Sequence, residues 1–418
     1  MKIVFCNYRY FVSGGPERYL FSLKSLLESN GHQVIPFSVA YRNNQNTPFG
    51  RYFVSPPGKS DQIYFTDLDL SPLGKLRFAL NSIYSLQTKR KLGALLDAEK
   101  PDLVQTFQIN TFLSYSVIDA CWERGIPVVS RMSSFQLMCP MEHFYRDDRV
   151  CEACRTSLSQ AVRYRCVHHS MAASLVRVMA LTVFRGRGMA HKTGLFISPS
   201  QFLKEKMIEY GFDPDRIVHV PSFVDTDRLS PRYDSDGYIL YFGRITREKG
   251  VMDLVKAFER LKPGLPLKII GNIDTDEGGR IRDYVREKNI PGIEFDRFQS
   301  LDRLQQAIRG ALFTVCPSRW YENTPLSVYE SFALGKPVLG ARIGSIPEQI
   351  AEEETGLLYE VGNDEDLARK MDRLLSIRQN LGEMGKRARR AVEKNHSPAV
   401  HYERIQGVYS QVLGLKNS

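Results

Sequence analysis

The chain opens on Lys2-Ile3-Val4-Phe5-Cys6, a β-branched and aromatic run that reads as a buried strand, followed by a loop holding Ser13-Gly14-Gly15-Pro16. From Glu17 to Asn30, leucines 20, 23, 26 and 27 recur at helical spacing, Gly31 stops the helix, and Val34-Ile35-Pro36-Phe37 predicts the next strand. Strand, glycine turn, helix and strand make the repeating unit of a parallel sheet covered by helices. The alternation returns at Leu103–Thr106, at a helix over about 111–123, at Pro127–Ser130, and at Leu195–Ser198 before a helix at about 200–210. A polar stretch from Arg228 to Gly237, containing Pro231, reads as a linker. Beyond it a second set of strands is expected at Tyr238–Phe242, Leu267–Ile270, Ile293–Phe295, Leu312–Cys316 and Pro337–Gly340. The pattern predicts an α/β protein of two doubly wound, Rossmann-like domains facing a cleft, with chemistry just beyond the carboxyl ends of the strands.

Length agrees with that division, because 418 residues exceed the roughly 250–300 that one core usually serves. Charge adds an asymmetry. Residues 1–200 hold 24 basic and 14 acidic side chains and residues 201–418 hold 33 of each, so the net +10 belongs to the first half. A basic first half suggests an anionic partner: nucleic acid, a phosphorylated substrate or a phospholipid headgroup layer. No run approaches the ~18–20 apolar residues of a membrane span, and the N-terminus enters a strand without a signal-peptide pattern. The expected location is therefore the cytoplasm.

Two segments carry candidate chemistry. Trp320-Tyr321-Glu322-Asn323-Thr324-Pro325-Leu326-Ser327-Val328-Tyr329-Glu330 follows a strand and opens a helix, placing two carboxylates eight positions apart beside amide groups suited to an anion. The plainer account makes Glu322 a first-turn acid and Glu330 a surface glutamate. Phe242-Gly243-Arg244-Ile245-Thr246-Arg247-Glu248-Lys249-Gly250 puts Arg244 and Lys249 at the end of another strand, where two cations could clamp a diphosphate; a solvated charge run is the alternative.

These residues resemble a family. The region from Tyr238 to about Glu360 is similar to the nucleotide-binding half of family 4 retaining glycosyltransferases of the GT-B fold, through Gly243-Arg244, Lys249-Gly250, Gly271-Asn272, the Glu322/Glu330 pair, Gly335-Lys336-Pro337-Val338, Gly344-Ser345-Ile346-Pro347-Glu348 and Gly356-Leu357-Leu358. The resemblance implies an acceptor-binding domain over 1–226, a donor-binding domain over 227–396 and a C-terminal helix over 397–418 crossing back to the first domain. It implies a nucleotide diphosphate sugar as donor, UDP- or GDP-linked, and no catalytic metal. Arg244 and Lys249 would neutralise the departing diphosphate, and backbone N–H groups around Asn323, Thr324 and Leu326, on either side of Pro325, would hold its distal phosphate. Glu322 would meet the sugar hydroxyls and Glu330 the ribose, Gly271 would allow close approach of the nucleoside, and Phe298 or a neighbour would pack on the base. Gly14 and Gly15 resemble the family's N-terminal glycine loop. One departure stands out: where many relatives carry a His-Asp pair, alignment on Cys139-Pro140 places Ser133 and Ser134, so the histidine's contribution is either absent or supplied by Arg131 or His143.

Cys139, Cys151, Cys154 and Cys166 are spaced C-x11-C-x2-C-x11-C. A structural zinc site and four reduced thiols in a packed hairpin both fit, the outer spacings being long for zinc. From Arg155 to Lys192 seven basic residues occur with apolar side chains between them and no acidic residue, which suits an anionic membrane surface or a helix with solvated arginines; no nucleic-acid motif is present. The expected activity is retaining transfer to a saccharide or lipid-linked saccharide acceptor in bacterial surface polysaccharide synthesis, at or near the inner face of the cell membrane. A nucleotide-sugar epimerase and a non-catalytic sugar-nucleotide binding protein are the competing readings.

Overall fold

The computed structural model describes residues 1–59, 61–62, 69–261, 264–297 and 300–414. Its strands in chain order are β1 (Lys2–Cys6), β2 (Gln33–Phe37), β3 (Leu103–Thr106), β4 (Val128–Arg131), β5 (Tyr145–Arg146), β6 (Arg149–Val150), β7 (Leu195–Ser198), β8 (Ile217–His219), β9 (Tyr238–Phe242), β10 (Leu267–Ile270), β11 (Ile293–Asp296), β12 (Ala311–Cys316), β13 (Val338–Ala341) and β14 (Gly356–Tyr359). The chain divides into two compact units, one of residues 1–144, 152–220 and 402–418, the other of residues 145–151 and 221–401.

The first unit is built on a parallel sheet ordered β2-β1-β3-β4-β7-β8. Its central strands are buried on both faces, which is why they read as unbroken apolar runs. The first helix spans Gly15–Ser29, with Pro16 in its opening turn and Tyr19, Leu20, Leu23 and Leu27 buried. Two helices absent from the sequence reading, Pro72–Ile83 and Leu86–Glu99, start on Ser71 and Ser85, each of which caps the amide three positions on. The helix expected over 111–123 is shorter, Ser116–Trp122, because Thr111 and Ser114 take left-handed backbone angles (φ +69° and +62°) that end any earlier turn.

The second unit repeats the design with order β11-β10-β9-β12-β13-β14, all parallel. From β9 the chain winds outward through β10 to β11, then returns to β12 on the other side of β9. The switch point therefore lies between β9 and β12, where the carboxyl ends of two adjacent strands diverge to opposite sides. The helix Val251–Leu261 buries Val251, Leu254, Val255, Ala257 and Phe258 against this sheet and leaves its charged positions outward. A short hairpin, β5–β6, turns through Asp147 and Asp148, both at positive φ, and groups with this unit. The last helix, Pro398–Val412, starts among residues of the second unit and from Tyr402 onward belongs to the first, where the Tyr409 hydroxyl donates to Gln105.

Candidate active site

β9 ends at Phe242, and the chain turns at Gly243, whose φ of +149° suits glycine. The Tyr241 hydroxyl donates to the Arg244 carbonyl at 2.5 Å and steadies the turn. A single tight turn over Arg247–Lys249 closes on Gly250 at φ +67°. A Cβ on Gly250 would stand 1.9 Å from the Pro317 carbonyl oxygen, so only glycine lets the loop after β9 lie against the loop after β12. Two further contacts lace those loops together. The Arg319 amide donates to the Glu248 carbonyl at 2.8 Å, and the Arg319 guanidinium grips both oxygens of buried Asp253 at 2.5 Å.

On this frame Lys249 Nζ donates to Glu322 Oε1 at 2.6 Å, and Ser318 Oγ donates to the same oxygen at 2.5 Å. Glu322 is only 6% exposed. Burial alone would push its carboxyl pKa up, but the Lys249 charge and the hydrogen bonds from Lys249 and Ser318 outweigh it and hold the carboxyl below the usual glutamate range. Trp320 flanks the cations: Lys249 Nζ lies 5.1 Å and the Arg244 guanidinium carbon 5.6 Å from its ring centre. Arg244 itself reaches into solvent, its side chain 63% exposed and 3.6 Å from Glu248. The turn bearing Glu322 is braced from behind, where Ser345 donates its amide to the Glu322 carbonyl at 3.0 Å.

Pro325 precedes the helix Leu326–Ala333, and no side chain caps that helix start. Its first amides therefore keep the anion-binding character of a helix N-terminus. Val328, Tyr329 and Phe332 face the core and Thr314 Oγ1 donates to Ser331 Oγ at 2.8 Å, fixing the helix to β12; Glu330 is half-buried one turn in. The structure thus gathers Gly243, Arg244, Lys249 and Glu322 at the β9/β12 switch point, with Asn323, Thr324, Pro325, Leu326 and Glu330 on the chain that follows. Trp320, Ser318 and Gly344, which the motif reading left without a role, complete the group. A Cβ on Gly271 would meet the Gly243 carbonyl at 2.2 Å, so protein backbone alone already demands that glycine. Phe298 lies outside the described residues.

In the first unit Gly14 is the extended residue before the Gly15–Ser29 helix, and its neighbour Ser13 donates to Glu17 at 3.0 Å. At the end of β4, Arg131 lies 3.6 Å over the Tyr19 ring, and beyond the strand Ser134 Oγ donates to Glu142 Oε2 at 3.3 Å. Glu142 Oε1 also receives buried Arg177 at 2.6 Å and the Asn110 side chain. A carboxylate–guanidinium pair therefore stands beside Ser134.

The four cysteines are not gathered into a metal site among the described residues, where no three His, Cys, Asp or Glu side chains are grouped closely enough to hold a metal ion. Cys139 is buried, and that burial pushes its thiol pKa up against backbone hydrogen bonds from residues 141–144. Cys151 groups with the second unit and the other three with the first. A hollow of about 730 Å³ beside β10 and β11, lined by Tyr238, Lys268, Glu294, Asp296 and Arg303, includes none of the predicted site residues.

Comparison with known proteins places this geometry. The sequence pattern described as Glycosyltransferase Family 4 matches residues 13–228, and that described as Glycosyl transferases group 1 matches residues 225–391. The capsular polysaccharide biosynthesis glycosyltransferase CapM of Staphylococcus aureus is 23% identical over 241 residues, 52% of this chain and 59% of that one. A D-inositol 3-phosphate glycosyltransferase of Mycobacteroides abscessus is 32% identical over 186 residues, 41% of each chain. The chain spans less than two thirds of the length of such relatives. Among solved structures, a Rickettsia africae glycosyltransferase superposes with a TM-score of 0.67 at 20% identity, covering 100% of this chain and 99% of its own. HepE of Anabaena in complex with UDP superposes at 0.65 with 14% identity, covering 98% and 100%. Two six-stranded parallel sheets, the GT-B likeness and a match across more than half of its residues together make this chain a member of glycosyltransferase family 4.

Proposed function

We propose that the protein transfers a sugar from a nucleotide diphosphate sugar to a saccharide or lipid-linked saccharide acceptor, with retention at the anomeric carbon, in bacterial surface polysaccharide synthesis. The observation that carries this reading is the Lys249–Glu322 pair beside Trp320 at the switch point, with Arg244 at its exposed rim. That is where an open parallel sheet receives a nucleotide. HepE, solved with UDP and with UDP-glucose, supports the donor class, and CapM supports the polysaccharide setting.

As the bond between the anomeric carbon and the diphosphate oxygen breaks, negative charge grows on the departing phosphate. Arg244 and the remaining N–H groups of Lys249 neutralise it, while the amides at the start of Leu326–Ala333 hold the distal phosphate. Glu322 keeps Lys249 charged and aligned and accepts sugar hydroxyls, and Glu330 accepts the ribose hydroxyls. The acceptor hydroxyl forms the new bond from the face the diphosphate leaves, passing its proton to the departing phosphate oxygen. No metal enters this reading. No helix among the described residues is long and apolar enough to cross a membrane, so a cytoplasmic enzyme would reach a lipid-linked acceptor from the membrane surface.

Thermal stabilisation and nucleotide release with a panel of UDP-, GDP- and ADP-sugars test the reading. One UDP- or GDP-sugar should stabilise the protein and be consumed when a saccharide acceptor is supplied, and Lys249→Ala should slow that consumption by ~100-fold or more. Indifference to every donor would overturn it.

A further inference from the structure

We propose that the face of the first unit formed by the helices Pro72–Ile83 and Met171–Gly186 is a docking surface for an anionic lipid bilayer. This rests on the membrane-facing part of the reading above and names the surface responsible. The two helices pack against each other. On the first, Leu73, Leu76 and Leu80, three and then four positions apart, are 75%, 57% and 57% exposed; on the second, Met171, Leu175 and Met179, four apart, are 54%, 47% and 44% exposed. Those spacings put each trio on one side of its helix. Six of the fourteen large apolar side chains exposed among the described residues thus sit on this one helix pair, where single scattered residues would need no explanation.

The stripes are not helix faces awaiting the core. The second helix already buries Ser174, Arg177, Ala180, Leu181 and Phe184 on its inner side, so Met171, Leu175 and Met179 form a second apolar stripe turned outward. Charge identifies the occupant. No acidic residue occurs from Leu70 to Leu96 or from Ala153 to Lys204. Lys75, Arg77, Arg163, Arg165 and Arg185 are all exposed around the stripes, and none forms an ion pair among the described residues. An apolar centre with a basic rim matches a bilayer whose headgroups are negative and whose interior is hydrocarbon. A second copy would bring the same positive rim against itself, and a nucleic acid would leave the leucines and methionines unburied. The buried Arg177, by contrast, is held by Glu142 and Thr111 and belongs to the interior.

The full-length protein, without donor or acceptor, is sedimented with vesicles of phosphatidylglycerol and phosphatidylcholine, and with phosphatidylcholine alone. It should pellet with the first and stay soluble with the second, and raising the salt should weaken the binding. The double variant Leu76→Glu/Met179→Glu, and separately Lys75→Glu/Arg77→Glu, should each lose affinity by roughly tenfold or more while keeping the wild-type melting curve, since all four positions are exposed. Wild-type protein left in the supernatant, equal binding to neutral vesicles, or full binding by both variants would each overturn the proposal. A wild-type dimer dissolved by Leu76→Glu/Met179→Glu would overturn it too, by making a second copy the occupant. Because no sugar enters the assay, failure here leaves the transferase reading standing, and failure of the donor panel leaves this one standing.

Discussion

Glu322 and Lys249 depend on each other. Glu322→Ala strands a mostly buried ammonium and should cost about 3–5 kcal/mol of unfolding free energy, read from urea midpoints. The depressed carboxyl pKa also sets a pH dependence with a definite sign. The folded chain binds the Glu322 proton more weakly than the unfolded chain does, so the group's contribution is complete above the ordinary glutamate pKa of about 4.3 and is lost as pH falls through the lower folded value. Between pH 6 and about 3 the wild type should therefore lose stability more steeply than Glu322→Gln, and parallel curves would remove the assigned environment. Glu330 makes a different prediction, because its helix is anchored by Val328, Tyr329 and Phe332. Glu330→Ala should leave melting nearly unchanged and weaken nucleotide binding by roughly 10–100-fold, the worth of a hydrogen bond to a charged group, as measured by calorimetry.

At the scale of elements, glycines hold the loops that carry the site. Gly344 has φ +58°, and a Cβ there would lie 2.6 Å from both the amide nitrogen and the carbonyl oxygen of Glu322. Gly31 has a comparable φ of +79° with nothing within 4 Å of its would-be Cβ. Gly31→Ala should therefore cost only the backbone strain, about 1 kcal/mol, whereas Gly344→Ala should cost more and also displace the Glu322 turn. Melting temperatures and sugar-transfer rates of the two variants separate the effects: only Gly344→Ala should lose both. The buried Arg389 works in the same way between elements. Its guanidinium donates to the carbonyls of Thr226, Leu229 and Ala333, tying the polar linker to the end of the Leu326–Ala333 helix.

Across the whole molecule, no disulfide links the seven cysteines among the described residues, and no described group of ligands is arranged for a metal. A thiol reagent applied to denatured, unreduced protein should accordingly count seven per chain, and metal analysis of protein purified without chelator should find far less than one zinc per chain. The charge asymmetry has also changed meaning. Some basic side chains of residues 1–200 are held in internal ion pairs, as where Arg187 and Lys192 converge on buried Asp119 at 2.7 and 2.6 Å. The exposed remainder around the Pro72–Ile83 and Met171–Gly186 helices is what a membrane would meet.

Sequence alone determined the alternation of strands and helices, since buried parallel strands must be apolar throughout and their helices amphipathic, and both leave periodic traces. It also located Arg244, Lys249, Glu322 and Glu330, because turn residues after apolar strands mark strand ends. The tertiary structure alone decided which of these meet. The Lys249–Glu322 pair spans 73 positions and exists because β9 and β12 are neighbours at the point where winding reverses. The same holds for Gly344 behind Glu322 and for Glu142 beside Arg177 and Ser134, whose partners are distant or lie across an irregular loop without periodicity. Cysteine spacing suggested a metal site that is not found among the described residues, and the Pro72–Ile83 helix, with its exposed leucines, went unread in the sequence until packing showed it. Proximity between distant segments is set by sheet order and burial, which a local pattern does not record.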